Sequence, residues 1–474
     1  MSNGIAASSG RWRRLALAWT IVCAAGSLQG CQRYERAPLD LASHGRAYEM
    51  RLEGAERIAE FLERVEELGA IPPEHFDVDD GISLAEAEAI ALVFNPDLRL
   101  ARLRAGVALA EFEHAGLWQD PVFGFDGADI LSNASPFEYG LRLSLTIPIS
   151  GRLGVERDRA GAAYEAELRR IADAEWEMRA SVRSAWAAWT IAGERVTLLQ
   201  QTIGELNRIS MVTDELESAG ELMRIDSRLV RLELVQRRAA LVDAEYHETR
   251  ARQELLMLLG LPLEARATLL PSVPINAPLD NKHEAQQHDR LIASNTALAV
   301  WRAEYQVAEE SLRLAVREQF PDITIGGGYG SEGDDRLLLG FSMPIPVLNA
   351  NRGVIAKARA ERDLARAGAE SAFEHLAARL GTATSAYHAA HMQRILHETV
   401  VLPLVAEQLD DLDRLARLGE WNALVLIDAI GRELEAKTQL LELRLAEARA
   451  AITITQLLGP EQVSATDLNE GDAQ

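Results

Sequence analysis

The 474-residue chain has two cysteines, 5% aromatic residues, and far fewer bases than acids, 49 Lys and Arg against 72 Asp and Glu. Each shortage excludes something. Cys23 sits in an N-terminal apolar run expected to be removed, so the mature chain keeps one cysteine and no internal disulfide. A formal charge of −23 with no offsetting basic stripe excludes nucleic acid as a partner. The acidic surface suits cations, basic patches on a partner, or solubility. No nucleophile–base constellation or metalloprotease motif is found, so the chain is expected not to be an enzyme and to need no cofactor and no bound metal. What remains is rich in Ala, Leu, Glu and Arg, the composition of long helices and coiled coils. The length suggests two to four domains, and 48% apolar residues suffice for a large core.

The first thirty residues carry Arg11, Arg13 and Arg14 and no acid, followed by the apolar run Leu15 to Leu28. This is a secretory signal, too short to span a membrane in the mature protein. Removing the three arginines takes the formal charge from −23 to −26. The run ends in "LQGC", which resembles a bacterial lipobox with Cys31 as the lipidated residue. Gln29 replaces the usual small residue at −2, and Gln32 after the cysteine favours outer-membrane sorting by the same resemblance.

Internal repeats organise the rest. "NPDLRLARLRAGVALAEFEHA" from Asn95 parallels "NTALAVWRAEYQVAEESLRLA" from Asn295, 200 residues on. Pro121 and Pro321 are also 200 apart, while Gly220 and Gly419, and Gly260 and Gly459, are 199 apart. Each copy reads as a helix (Asn95–Trp118, Asn295–Gln319), a β-hairpin (Pro121–Ile130 with Phe137–Ile149, Asp322–Tyr329 with Leu337–Pro346), a very long helical stretch (Arg152–Ala219, Val354–Leu418), a glycine stop at Gly220 or Gly419, and a return helix ending in "LLG". Pro403 marks a kink or break in the second long stretch. Leu229, Leu232, Leu234, Val235, Leu241 and Val242 recur at helical spacing and predict one packed seam. The organisation is therefore a signal peptide (1–30), an N-terminal anchor segment (31–81), two repeats (82–262 and 284–460) and a flexible tail (461–474). The fold class is mainly α with a small β part.

The strands carry the functional signal. Leu141, Leu143, Leu145, Ile147 and Ile149 make one apolar face, and Arg142, Ser144 and Thr146 the other. About ten tilted residues cross a bilayer, with apolar side chains outward and polar ones inward. Two hairpins supply only four strands, which cannot close a barrel, and lipid does not tolerate open edges. The hairpins are soluble, or several chains share one barrel. Pro148 and Pro344 fix the point where strand gives way to helix, with Gly151 and Gly353 expected to relieve crowding there.

The duplicated unit, "NPDL", "IPISGR", "IPVLNANRG" and the glycine turns together resemble the outer-membrane efflux protein family of TolC-like ducts, over roughly Ile82 to Gly459. "MPIPVLNANRG" is most similar to the branch serving heavy-metal cation pumps. The resemblance implies a homotrimer with a shared twelve-stranded β-barrel above a periplasmic α-helical tunnel. It implies as partners a periplasmic adaptor (membrane fusion protein), an inner-membrane resistance–nodulation–division pump and outer-membrane lipid. It places a periplasmic gate acid at Asp428 and, more weakly, at Asp226. Alternatively, these carboxylates lie on a solvated face or pair with Arg432 or Arg224. A second family gate acid falls near Val425, which is apolar here. Adaptor-contact tips fall at Gly220, Glu221, Leu222, Gly419, Glu420 and Trp421. His388, His391, Met392 and His397 in "YHAAHMQRILH" invite a metal reading, but no neighbouring carboxylate or cysteine in the sequence completes a site. "GGGYG" (Gly326–Gly330) lies in a strand pattern and is no nucleotide loop. Two other functions stay open: a lipid-anchored periplasmic coiled-coil scaffold without a pore, and the same duct serving drug export or type I secretion.

Overall fold

The computed structural model describes residues 34–53, 59–64, 80–129, 137–265, 267–274, 284–332, 334–418 and 422–460. The signal peptide, Cys31, the tail and the turn Gly419–Trp421 lie outside these. The chain divides into two units, Met1–Met50 and Arg51–Gln474. In the first, helix α1 (Leu41–Glu49) is started by Asp40, whose carboxylate accepts the Ser43 N–H.

The second unit contains the repeat. In its first copy, α2 (Leu84–Phe94) opens with a reciprocal capping box between Ser83 and Glu86. Then come α3 (Pro96–Glu113), β1 (Val122–Ala128), β2 (Glu138–Ile147), α4 (Arg152–Ala219) and α5 (Arg224–Leu259). The second copy runs α6 (Glu284–Ser294), α7 (Thr296–Arg317), β3 (Ile323–Glu332), β4 (Asp334–Ser342), α8 (Arg352–Leu396), a π-helical turn (His397–Val401), α9 (Leu402–Arg417) and α10 (Ala423–Leu458). The first helix of each repeat stops short of the expected Trp118 and Gln319. In the first copy a left-handed Gly116 turns the chain. The return helices α5 and α10 are both 36 residues long. α4 has 68 residues, roughly 100 Å at ~1.5 Å per residue.

The second long stretch is broken where Pro403 predicts it. A proline has no N–H and its ring collides with the carbonyl four residues back. The π turn accommodates this by widening, and the Leu402 N–H bonds to the His397 carbonyl five residues back.

The two repeats are latched in the same way. Asn95 caps α3, accepting the Asp97 and Leu98 N–H groups, and its Nδ2 donates to the Leu258 carbonyl at 2.9 Å. Asn295 caps α7 through Leu298 and donates to Leu457 at 2.8 Å. Gly260 and Gly459 end the return helices at these latches with positive φ. A Cβ on either would lie 2.4 Å from the Phe94 carbonyl oxygen or 2.0 Å from that of Ser294. Only glycine lets these backbones meet.

Around each latch sits a core. The first gathers Phe61, Ile82, Ile90, Trp186, Leu255 and Leu259; the second gathers Leu291, Leu298, Leu380, Ile454 and Leu457. Smaller clusters continue along the helices, including Leu199, Leu206, Leu234, Ile430 and Leu441. The single seam expected on α5 is in fact two faces. Val230 and Leu234 are buried, with Leu241 half-buried against the clusters beside them, whereas Leu232, Val235 and Val242 are exposed. Residues at 230, 234 and 241 point to the chain's own helices, and those at 232, 235 and 242 point away from them.

Candidate functional site

The four strands form one antiparallel sheet in the order β1-β2-β3-β4, so the hairpins of the two repeats join through β2 and β3. Register places Phe125, Leu141, Tyr329 and Leu337 in one row, and Phe123, Leu143, Gly327 and Leu339 in the next. Leu145, Ile325 and Phe341 follow. Alternation puts these rows on one face, and that face is unbroken from β1 to β4. Leu339 is 84% and Phe341 79% exposed. Tyr139 and Tyr329 pack near the hairpin end, ring centroids 6.2 Å apart. The other face carries Asp126, Arg142, Ser144, Thr146 and Thr324 among glycines, with Val122 and Leu338 as its large apolar residues; the two threonine hydroxyls hydrogen-bond at 3.1 Å. β1 and β4 are edges, each with one side unpaired among the described residues.

Both prolines lie just beyond a strand end, Pro148 after Ile147 and Pro344 two residues after Ser342. The glycines differ from expectation. Gly151 is needed for its backbone, φ +69°, and not for space, because a Cβ there meets nothing within 4 Å. Gly353 is an ordinary residue in the first turn of α8, also with nothing nearby. Ala350 (φ 45°) and Asn351 (φ 57°) make that turn. The Asn351 amide holds it by donating to the Ala315 carbonyl at 2.9 Å.

At the far end of α4, Gly220 (φ +77°) caps the helix. The N–H groups of Glu221 and Leu222 both return to the Leu216 carbonyl. Glu221 is exposed and Leu222 half-buried. Gly419, Glu420 and Trp421, the other tip, fall outside the described residues. Asp226 lies in the first turn of α5, half-buried. Asp428 is exposed on α10 and pairs with Arg432 one turn on, Oδ2 to Nε 2.9 Å. The two acids do not match between the repeats: at the 199-residue offset Asp226 falls on Val425, and Asp428 lies one turn further along its helix. Val425 is exposed on the same helix. Sequence reasoning missed the tip clamp. Arg231 of α5 donates twice to Asp214 of α4 (3.0 and 2.7 Å), and the Ser227 hydroxyl donates a third bond at 3.0 Å. The Arg231 hydrogen bond holds the Asp214 carboxyl below its ordinary value.

Residues 89–261 match the outer membrane efflux protein family model. The whole fold is similar to that of the outer-membrane channel OprN, with 19% identity, a TM-score of 0.67, and 80% of this chain and 90% of that one covered. It is similar also to the Campylobacter jejuni CmeC outer membrane channel (15%, TM-score 0.67, 85% and 94% covered). A third is the open state of the Neisseria gonorrhoeae MtrE outer membrane channel (19%, TM-score 0.66, 79% and 88% covered). At these identities the likeness is one of fold.

The outer membrane efflux fold also gives the histidine cluster a use. Glu447 on α10 is fully buried. The His391 Nδ1 donates to its Oε1 at 2.7 Å, and Arg394 donates to its Oε2. Tyr387 stacks on His391, ring centroids 5.7 Å apart. Arg394 bridges on to Glu398 at 2.7 Å, beside the π turn. The fold thus supplies the carboxylate that the sequence neighbourhood of His391 lacks. Among the described residues, no group of three or more His, Cys, Asp or Glu could hold a metal ion. A signal existed: Glu447 shares a helical stripe with Leu443, Ile454 and Leu458, where a charge must be buried.

Proposed function

We propose that the chain is the outer-membrane duct of a tripartite efflux system, a passive conduit energised by an inner-membrane pump through a periplasmic adaptor. One observation carries this reading: the apolar face runs across all four strands, while among the described residues both sheet edges stay unpaired. A soluble scaffold would solvate such strands with polar side chains. In lipid, the apolar face belongs outside, and the edges need partner strands. Three copies supply twelve strands, and the exposed stripe Leu232, Val235 and Val242 on α5 gives the helices a face to bury between copies. Cys31 adds a lipid anchor in the outer membrane.

In this reading the helical ends at Gly220–Leu222 and Gly419–Trp421 meet the adaptor, and Asp428, with Asp226 as second choice, rings the periplasmic aperture. Heavy-metal cations are the cargo suggested by "MPIPVLNANRG". The test is oligomeric mass in detergent together with single-channel recording in planar bilayers. A conducting trimer is the expected result; a monomer that never conducts sinks the duct and leaves the scaffold. Cargo is read separately, from metal-salt tolerance of cells with and without the chain.

A further inference from the structure

If the apolar face meets lipid, the opposite face lines the lumen, and its charges are unevenly spread. Asp126, Glu138, Asp334 and Arg336 cluster toward the hairpin turns. From the next row to the strand ends, the inward residues are Gly, Ser, Thr, Val or Leu, with one exception among the described residues, Arg142; Asp120 and Asp322 follow just beyond the strands, Asp322 paired with Arg152 at 3.0 Å. Arg142 stands in the central strand β2, flanked in its row by Gly124 and Gly328. A Cβ on either neighbour would touch its stem at ordinary contact distance. A Cβ at Gly328 would lie 3.5 Å from the Arg142 Cγ, and one at Gly124 would lie 3.8 Å from its Cβ. The guanidinium is largely exposed, and its one recorded ion pair is a loose 3.4 Å contact from Nε to Asp126 Oδ2. An exposed pair of this kind is weakly held, and Asp126 offsets part of the Arg142 charge.

We propose that Arg142 is the charge-selectivity residue of the barrel lumen. Three copies place three guanidiniums at one level of an otherwise uncharged stretch. A ring of like charge attracts counterions and repels co-ions, as in other pores. This collar opposes the acidic character of the remaining chain, so it weights the barrel toward anions. Asp126 tempers it from the row above. The proposal rests on the duct reading, and one set of recordings separates the two.

The experiment is reversal potential under a salt gradient, for purified full-length protein and for Arg142→Gln, Arg142→Lys and Asp126→Asn. With three charges several ångströms from the axis and a Debye length of ~8 Å, Arg142→Gln is expected to shift the anion-to-cation permeability ratio about fivefold toward cations. Arg142→Lys keeps the wild-type ratio, and Asp126→Asn moves it toward anions. A conducting Arg142→Gln channel with an unchanged ratio overturns the collar and leaves the duct standing. If Arg142→Gln does not assemble, Asp126→Asn decides alone, and an unmoved ratio there also overturns the collar. Absence of conductance in the wild type removes both.

Discussion

Asn95 and Asn295 perform one task twice. Each caps the helix that follows it and donates its side-chain amide to the end of its repeat's return helix, at the Leu258 and Leu457 carbonyls. Replacing either by alanine removes a cap and strands a buried carbonyl. The expected cost is about 2 kcal/mol per site. Thermal melts in detergent would show a lower midpoint for each variant. Aspartate keeps the capping oxygen but loses the donor, so it should be destabilising too.

Glycine substitutions should divide sharply. Gly260→Ala and Gly459→Ala combine a left-handed backbone with a Cβ driven into a carbonyl, and both should fail to yield folded protein at normal levels. Gly353→Ala meets nothing and sits in a helix, where alanine is favoured by roughly 0.5–1 kcal/mol. Its melting midpoint should equal or exceed that of the wild type. A large loss at Gly353 would contradict the assignment of that turn to Ala350 and Asn351.

Removing Glu447 should be costly. Glu447→Ala takes the buried acceptor away from the half-buried Arg394 and His391, and breaking a buried pair from one side costs about 3 kcal/mol or more. Arg394 retains Glu398, so the lower end is expected. Denaturant midpoints for Glu447→Ala and the double variant Glu447→Leu/Arg394→Leu provide the check. The double variant should recover much of the loss.

The tip clamp predicts a pH dependence with a definite sign. Asp214 is held below its ordinary 3.8 by the Arg231 hydrogen bond. A depressed carboxylate contributes stability that is present above its unfolded value and lost as pH falls through the folded one. Hydrogen exchange in the first turns of α5 should therefore be faster in Arg231→Ala than in wild type at pH 6. The difference should vanish in acid below that folded value, and shrink at ~1 M salt because the pair is exposed.

Asp428→Ala tests the gate. If Asp428 rings the aperture, removing it also frees Arg432, so single-channel conductance should rise and cation preference fall. Conductance equal to wild type would leave the Asp428–Arg432 pair as a surface contact, worth ~0–1 kcal/mol.

Much of this architecture is legible in the sequence because it depends on spacing. The offset of 200 residues places Asn95 over Asn295, and alternation from Leu141 to Ile147 sorts the two faces of β2. What escaped depends on which helix packs against which. Leu232 and Leu234 look alike in a periodic stripe, and only the position of α4 decides that one is buried. His391 seemed to lack a carboxylate because Glu447 is 56 residues away in sequence and reaches it through the pairing of α8 with α10. Gly353 drew attention because glycine commonly marks a turn, yet Asn351 tolerates the left-handed conformation and also gains a hydrogen bond there.

If copies close a barrel as proposed, the two strands left unpaired among the described residues have a genetic consequence. β1 and β4 are different surfaces, so copies joined through them meet head to tail, and a ring closes only if every member offers both. A chain with a spoiled β4 edge could still accept a neighbour on β1, then leave the circle open. Co-expressed with the intact protein in equal amount, such a chain would enter most rings, and the loss of export would be dominant rather than proportional to dose.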